Sequence, residues 1–378
     1  MSRRGNGEGS VYKRTDGRWA GAAYVLMPNG GRRRRQVYGR TREEVGRKIA
    51  ALVTQAASGV PAAETSWTVT SYVAHWREHI APGSLRPATL ANYAYVLDSH
   101  VLPEVGKVRL ARLTPAHVRR MLGALDDKGL SPRTQQLAHA VLRSVLAHAV
   151  RDELVHRNVV ALVRPPRPER LEVQPWSPSE AGRFLASVRG HRMYALFAVG
   201  LALGLRRGEL LALTWADVDL AGKQLTVRRS VQRLRDGSGL VFGPPKSARS
   251  RRSIPLPAVC VDALRAHKAA QSAERLAAGG YWADLDLVFP TSIGTVFEPR
   301  NLNRLFAELV EAAGLRRIRV HDMRHTCASL LLAQGVPPRV VMEILGHSQI
   351  SITMETYAHV MPTAMRDAAD AIDAALGG

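Results

Sequence analysis

The sequence predicts a multidomain protein, mainly α with small β-sheets, and three observations carry that expectation. Short alternating runs with turn chemistry between them are confined to the first 55 residues and to an insert near 223–256. Apolar residues at helical spacing fill most of the remainder. Two stretches rich in proline, charge or small residues interrupt those helices, at 56–66 and 164–175. A chain of 378 residues with 46% hydrophobic content is long enough for two or three cores.

In the first piece, residues 1–55, Val11–Lys13, Trp19–Met27 and Arg33–Tyr38 read as three strands of a small sheet. Asp16-Gly17 and Pro28-Asn29-Gly30-Gly31 supply the turns. Thr41 then caps a helix, with Glu44 at the reciprocal capping-box position and Val45, Ile49 and Leu52 along one face. The second piece, 67–163, reads as a helical bundle: Trp67–His79, Pro87–His100, Thr114–Leu125 and Ser131–Arg151. Thr114-Pro115 and Ser131-Pro132 each set an N-cap residue before a first-turn proline. The third piece, 176–378, opens with the capping box Ser177-Pro178-Ser179-Glu180 and mixes helices with the β-rich insert Lys223–Leu256.

Charge narrows the function classes. The chain carries 53 Lys and Arg against 32 Asp and Glu, a formal +21. Self-repulsion of that size favours a polyanionic partner, and nucleic acid is the first expectation. An anionic membrane surface is the rival, but no run is apolar and long enough to span a bilayer. Met1–Gly9 is basic and Gly-rich with no apolar stretch behind it, so no secretory signal is expected. Cys260 and Cys327 alone cannot build a disulfide framework or a cysteine zinc cluster, which fits a reducing cytoplasm. Residues 1–60 hold 13 Lys and Arg against 4 Asp and Glu. Within them Arg18 and the run Arg32-Arg33-Arg34-Arg35 are candidate DNA contacts of a basic β-ribbon shaped for a major groove. A solvated charge run, or a soluble edge strand, is the weaker alternative for the same residues.

Four patches in the last half carry cations, imidazoles and one tyrosine. In Gly204-Leu205-Arg206-Arg207-Gly208-Glu209, Gly204 is placed to end a helix. Arg206 then starts the next one, with Glu209 one turn on to orient it. In His321-Asp322-Met323-Arg324-His325, His321 and Arg324 share the face of a helix start, where a phosphate is favoured. A metal pair of His321 and His325 would need a third ligand, and Asp322 stands where a zincin has glutamate, so no metal is expected. Lys246 falls between strand-like Leu240–Phe242 and Ser253–Leu256, at an expected hairpin tip. Leu345-Gly346-His347-Ser348 precedes Tyr357, on an expected further helix. A lone tyrosine is ordinarily packing; it becomes a nucleophile candidate only beside phosphate-binding cations, because its pKa is about 10.

Arg206, Lys246, His321, Arg324, His347 and Tyr357, in that order, resemble the catalytic set of the tyrosine recombinases (phage integrases). The local words GLRRGELLAL, PKS with RRSIPL, HDMRHT, LGHS and ETYAHV match as well. The resemblance implies a helical core-binding DNA domain at 67–163 and an arm-binding domain at 1–55 like that of lambda integrase. It implies a catalytic domain at 176–378. Tyr357 would be the nucleophile, Lys246 the general acid, and Arg206, Arg324 and His347 the ligands of the phosphate, with His321 accepting or steering the tyrosine proton. It further implies double-stranded DNA as partner, a homotetramer on two sites, an excisionase and a DNA-bending host factor, and integration or excision of a phage or mobile element. A tail helix, Met365–Leu376, would dock on a neighbouring protomer. No cofactor is expected, and the absence of any GxxxxGK[ST] agrees with ATP-free rejoining. A type IB topoisomerase and a catalytically silent DNA-binding regulator remain the rival classes.

Overall fold

The computed structural model describes residues 10–26, 32–57, 67–169, 174–245, 250–346, 372–374 and 376. It divides into two compact units, Met1–Glu169 and Arg170–Gly378. The fold is mainly helical with small antiparallel sheets, as expected.

The first unit opens with β1 (Ser10–Lys13), β2 (Trp19–Leu26) and β3 (Arg32–Gly39), hydrogen-bonded in that order. At the first turn Gly17 takes φ 81°, and Arg18 N–H donates to Asp16 Oδ1 at 3.1 Å. The second expected turn lies outside the described residues. Helix α1 (Arg42–Ala57) lies on one face of the sheet, with Val45 and Ile49 packed against Ala23. That approach depends on Gly21: a Cβ there would sit 2.4 Å from Ile49 Cδ1 and 2.8 Å from the Ser10 carbonyl. Thr41 Oγ1 caps the helix by accepting from Glu44 N–H at 3.1 Å. Glu44 reaches back to Arg40 N–H instead of the cap residue, at 2.9 Å, and Lys48 also holds its carboxylate. The Thr41 half of the expected box is therefore present, and only the return bond is shifted one residue upstream.

The helical part of this unit differs from expectation in its first two helices, which run on past their expected ends. Helix α2 (Val69–His75) passes through a π turn, Trp76–Ile80, into α3 (Ala81–Ser84). Helix α4 (Pro87–Val96) likewise passes through Leu97–Val101 into α5 (Leu102–Val105). Pro82 and Pro103 each follow a π turn by two residues. A proline removes one N–H and crowds the carbonyl a turn back, and a widened turn absorbs both without breaking the helix. Helices α6 (Pro115–Asp127) and α7 (Pro132–Arg151) begin at their expected prolines. Tyr72, Trp76, Met121 and Leu142 form the buried centre. His139 Nε2 lies 3.0 and 2.8 Å from the carbonyls of Val160 and Val163, so it donates there and ties α7 to the segment that leaves the bundle.

The second unit begins with the expected box: Glu180 N–H donates to Ser177 Oγ at 3.2 Å, and Ser177 N–H to Glu180 Oε2 at 2.8 Å. It caps α8 (Pro178–Ser187). Helix α9 (Tyr194–Leu203) is apolar all round and almost wholly buried. The rings of Trp176, Phe184, Phe197 and Phe306 cluster in the same core, with centroids 5.1–5.8 Å apart. There follow α10 (Arg207–Leu211), β4 (Val218–Asp219), β5 (Gln224–Val227), β6 (Ser230–Arg233), β7 (Leu240–Gly243) and β8 (Arg252–Pro255). Then come α11 (Ala258–Ala278), α12 (Pro299–Ala312), α13 (Asp322–Ala333) and α14 (Pro338–Leu345).

The expected hairpin across Lys246 is corrected here. Strand β7 pairs with β6, whereas β8 pairs with β5 in a separate sheet ordered β4-β5-β8. Two causes are visible. Asp236-Gly237-Ser238-Gly239 gives β6 and β7 a tight turn of their own, with Ser238 bonded to Asp236. Leu225 and Ile254 are both buried and face each other across β5 and β8. The segment containing Lys246 thus connects two sheets. Of the expected tail helix, residues 372–374 and 376 are helical and the rest lies outside the described residues. Among the described residues no helix is long and apolar enough to cross a membrane.

Candidate active site

The site starts where α9 stops. Gly204 closes that helix in the left-handed region, φ 58° and ψ 34°. A Cβ there would lie 2.4 Å from Leu345 Cδ2, so glycine serves both the backbone and the close approach of α14. Two residues later Arg206 is the N-cap of α10. Its backbone N–H donates to Glu209 Oε2 at 3.0 Å, and its Nη1 to Oε1 at 2.7 Å. Nη1 also reaches Ser250 Oγ and Nη2 the Gly346 carbonyl, each at 3.2 Å. Glu209 is buried, which alone would raise its pKa. The Arg252 guanidinium, then the backbone N–H of Arg206 and its guanidinium, outweigh that burial and hold it below the ordinary carboxylate value.

Helix α13 supplies the other half. Arg324 is 2% exposed and donates from Nη1 to the Gly204 carbonyl at 2.8 Å, which ties its helix to the turn carrying Arg206. His321 is the N-cap residue of α13. His321 as a residue is exposed, yet protein crowds its imidazole, and its pKa is pushed down to about 4. That crowding is the main cause; His325, Arg324 and Arg206 add to it. His321 is therefore neutral at pH 7 and able to accept a proton. Asp322 is anchored by Arg319 through its backbone N–H (2.8 Å) and guanidinium (2.8–3.2 Å). Burial would raise Asp322, but those bonds prevail and its carboxyl stays below its usual range.

Arg206 and His321 line one cleft of about 600 Å³, together with Arg207, Ser230, Asn303 and Arg319. Half-buried Arg207 donates to Asn303 Oδ1 at 2.9 Å. A cleft walled by guanidinium groups and a neutral imidazole suits an anion that accepts several hydrogen bonds.

Of the sequence-derived candidates, Arg206, Glu209, His321 and Arg324 come together. Lys246, His347 and Tyr357 lie outside the described residues. In the first unit Arg18, Arg33 and Arg34 are exposed and Arg35 is half-buried, while the Arg32 side chain lies outside the described residues. Sequence reasoning missed Arg252, Ser250 and Arg319 as parts of this network. A signal for Arg252 existed: it shares strand parity with apolar Ile254, and a charged residue on an inward face needs a partner.

The likeness to known proteins agrees with this geometry. Residues 178–363 match the model of the phage integrase family, and residues 68–125 that of its N-terminal SAM-like domain. An integrase of Saccharopolyspora erythraea is 30% identical, the match covering 98% of this chain and 97% of that one. Among solved structures, the Tn1549 transposon integrase in complex with transposon right-end DNA is similar at a TM-score of 0.67. It is 22% identical, over 82% of this chain and 100% of that one. A lambda integrase tetramer bound to a Holliday junction is similar at 0.56, with 17% identity over 94% and 96%. The chain belongs to the phage integrase family of tyrosine-type site-specific DNA recombinases.

Proposed function

We propose that Tyr357 is the nucleophile of this recombinase and that Arg206, Arg324, His321, His347 and Lys246 serve the same phosphodiester. The supporting observation is the convergence of Arg206, Arg324 and neutral His321, residues spread over more than a hundred positions, through the Arg324–Gly204 bond and the shared cleft. Tyr357 Oη attacks phosphorus while its proton passes to His321. The guanidinium groups compensate charge building on the non-bridging oxygens. The bond from phosphorus to the 5′ oxygen breaks, and the Lys246 ammonium protonates that oxygen as it leaves. The product is a 3′-phosphotyrosyl link plus a 5′ hydroxyl. Attack on that link by a 5′ hydroxyl from a second duplex completes strand exchange with no external energy source. His347 donates a further hydrogen bond to the phosphate, and Glu209 keeps Arg206 in place.

The same reading gives the remaining parts their tasks. Residues 67–163 bind the core sites and residues 1–55 the arm sites, through Arg18 and Arg32–Arg35, with linkers at 56–66 and 164–175. The substrate is double-stranded DNA at the junctions of a phage or mobile element, and four protomers act on two sites. An excisionase and a DNA-bending factor set the direction of the reaction. The test of the nucleophile uses a nicked suicide duplex. Wild type should form a denaturant-resistant protein–DNA adduct, and Tyr357→Phe should bind the duplex but form none. An adduct with the Phe variant would move the nucleophile elsewhere. Relaxation of plasmid supercoils without recombination would favour a topoisomerase.

A further inference from the structure

We propose that Arg252 is a positioning residue for DNA cleavage, setting the orientation of Arg206 through Glu209 and fixing two neighbouring segments of the site. The proposal rests on the reading of Arg206 as a phosphate-binding cation. Arg252 opens β8, and its side chain is 7% exposed. It donates in three directions: Nε to the Ile344 carbonyl at 2.5 Å, Nη1 to the Ser250 carbonyl at 3.0 Å, and Nη2 to Glu209 Oε2 at 3.2 Å. Arg206 grips the same three places from the other side, through Glu209 Oε1, Ser250 Oγ and the Gly346 carbonyl. Two guanidinium groups therefore clasp one buried carboxylate, the approach to β8 and the end of α14.

An ion pair alone would need only Glu209. The two carbonyl bonds use the planar fork of arginine, which an ammonium cannot reproduce. Arg252 and the Arg206 backbone N–H together occupy Oε2, which keeps Glu209 from turning both oxygens onto the Arg206 guanidinium. Arg206 then keeps Nε–H and one hydrogen on Nη2 uncommitted among the described residues, available to a phosphate oxygen. The clasped segments also matter by their place in the chain. Ser250 stands four residues after Lys246, and Gly346 directly precedes His347. Arg206 holds both of these places as well, so what Arg252 fixes here it fixes together with Arg206.

The experiment measures single-turnover cleavage and DNA affinity for the full-length protein carrying Arg252→Met or Arg252→Lys, each with and without Arg206→Lys. A displacement of about an ångström at a reacting centre costs about a hundredfold, which is the cleavage loss expected of Arg252→Met, with affinity retained. Arg252→Lys keeps the charge but cannot hold both carbonyls, and should lose about tenfold. Because Arg252 acts through Arg206, each double variant should be no slower than its slower single parent. A residue that merely supported the fold would multiply its loss with that of Arg206→Lys, and that result overturns the proposal. If Arg252→Met fails to fold, Arg252→Lys carries the test, and wild-type cleavage by it also overturns the proposal. Wild-type cleavage by Arg206→Lys itself would instead refute the phosphate-binding reading of Arg206.

Discussion

Arginines gather in two places in this chain, and the two gatherings are built in opposite ways. In β3 the run 32–35 belongs to a strand whose parity separates its members. Arg33 and Arg35 pair across with Val25 and Ala23 on the helix side, while Arg34 stands opposite Tyr24 on the open side. Arg33 and Arg34 remain in water, and Tyr12, Tyr24 and Tyr38 are exposed beside them. In the second unit Arg206, Arg252 and Arg324 are drawn inward and held by carbonyls and one carboxylate. Hydrated cations on a strand can follow a phosphate backbone at little cost, and salt screens them. Dehydrated cations in fixed places give up that adaptability and meet a developing charge without reorganising.

The largest expected effect sharpens the inner group. If Arg206 compensates charge at the non-bridging oxygens as proposed, Arg206→Ala should slow cleavage by roughly a hundredfold to a thousandfold. Lys246→Ala should be as slow on ordinary DNA, because an alkoxide leaving group needs a proton. A substrate with a 5′-bridging sulfur departs as a thiolate, whose pKa is about 8.5, and needs none. Sulfur should therefore restore Lys246→Ala to near the wild-type rate and leave Arg206→Ala slow. Single-turnover cleavage of both substrates decides it. Failure of sulfur to rescue either variant would make Lys246 a DNA contact and leave the proton donor unassigned.

The outer group should respond to salt. Replacing Arg33, Arg34 and Arg35 by alanine should flatten the plot of log affinity against log salt by roughly 0.9 for each phosphate that is no longer neutralised. Cleavage of a bound core site should keep its rate. An unchanged slope on DNA that includes flanking arm sequences would show that the ribbon does not touch the backbone.

A smaller effect concerns pH. An ordinary histidine charges as pH falls through about 6.5. His321 is depressed to about 4, so its neutral, proton-accepting form persists through the intervening range. The acid limb of kcat/KM for cleavage should accordingly lie well below 6.5, and His321→Gln should abolish that limb. A wild-type limb at 6.5 would mean that burial and the neighbouring charges do not act on His321 as the geometry indicates.

What was legible in the sequence was local. Ser177 and Glu180 announce a helix start because both partners lie within one turn. Gly204 announces a helix end for the same reason, and Arg206 with Glu209 reads as a pair at i, i+3. The order of the catalytic words also survives in one dimension. What stayed hidden depends on contacts between distant residues. The partner of β8 is β5, which no local signal gives, although Asp236-Gly237-Ser238-Gly239 already marked a turn joining β6 to β7. The role of Arg252 is set by a carbonyl 92 residues further on. Gly21 looks like any strand glycine until Ile49 arrives above it.

The clasp at the end of α14 has a consequence for the electric field of the site. A helix gathers roughly half an elementary negative charge at its carboxyl end, and a phosphate approaching that pole is repelled. Helix α14 ends in the turn just before His347, the residue proposed above to bind phosphate. Its terminal carbonyls at Ile344 and Gly346 do not point at the anion unaccompanied, since each receives a guanidinium hydrogen from Arg252 or Arg206. The two side chains offset part of that pole, while His321, the cap residue at the positive amino end of α13, lines the cleft it shares with Arg206. On the proposed reading of the site, an approaching phosphate therefore meets a helix start that attracts it and a helix end whose repulsion is reduced.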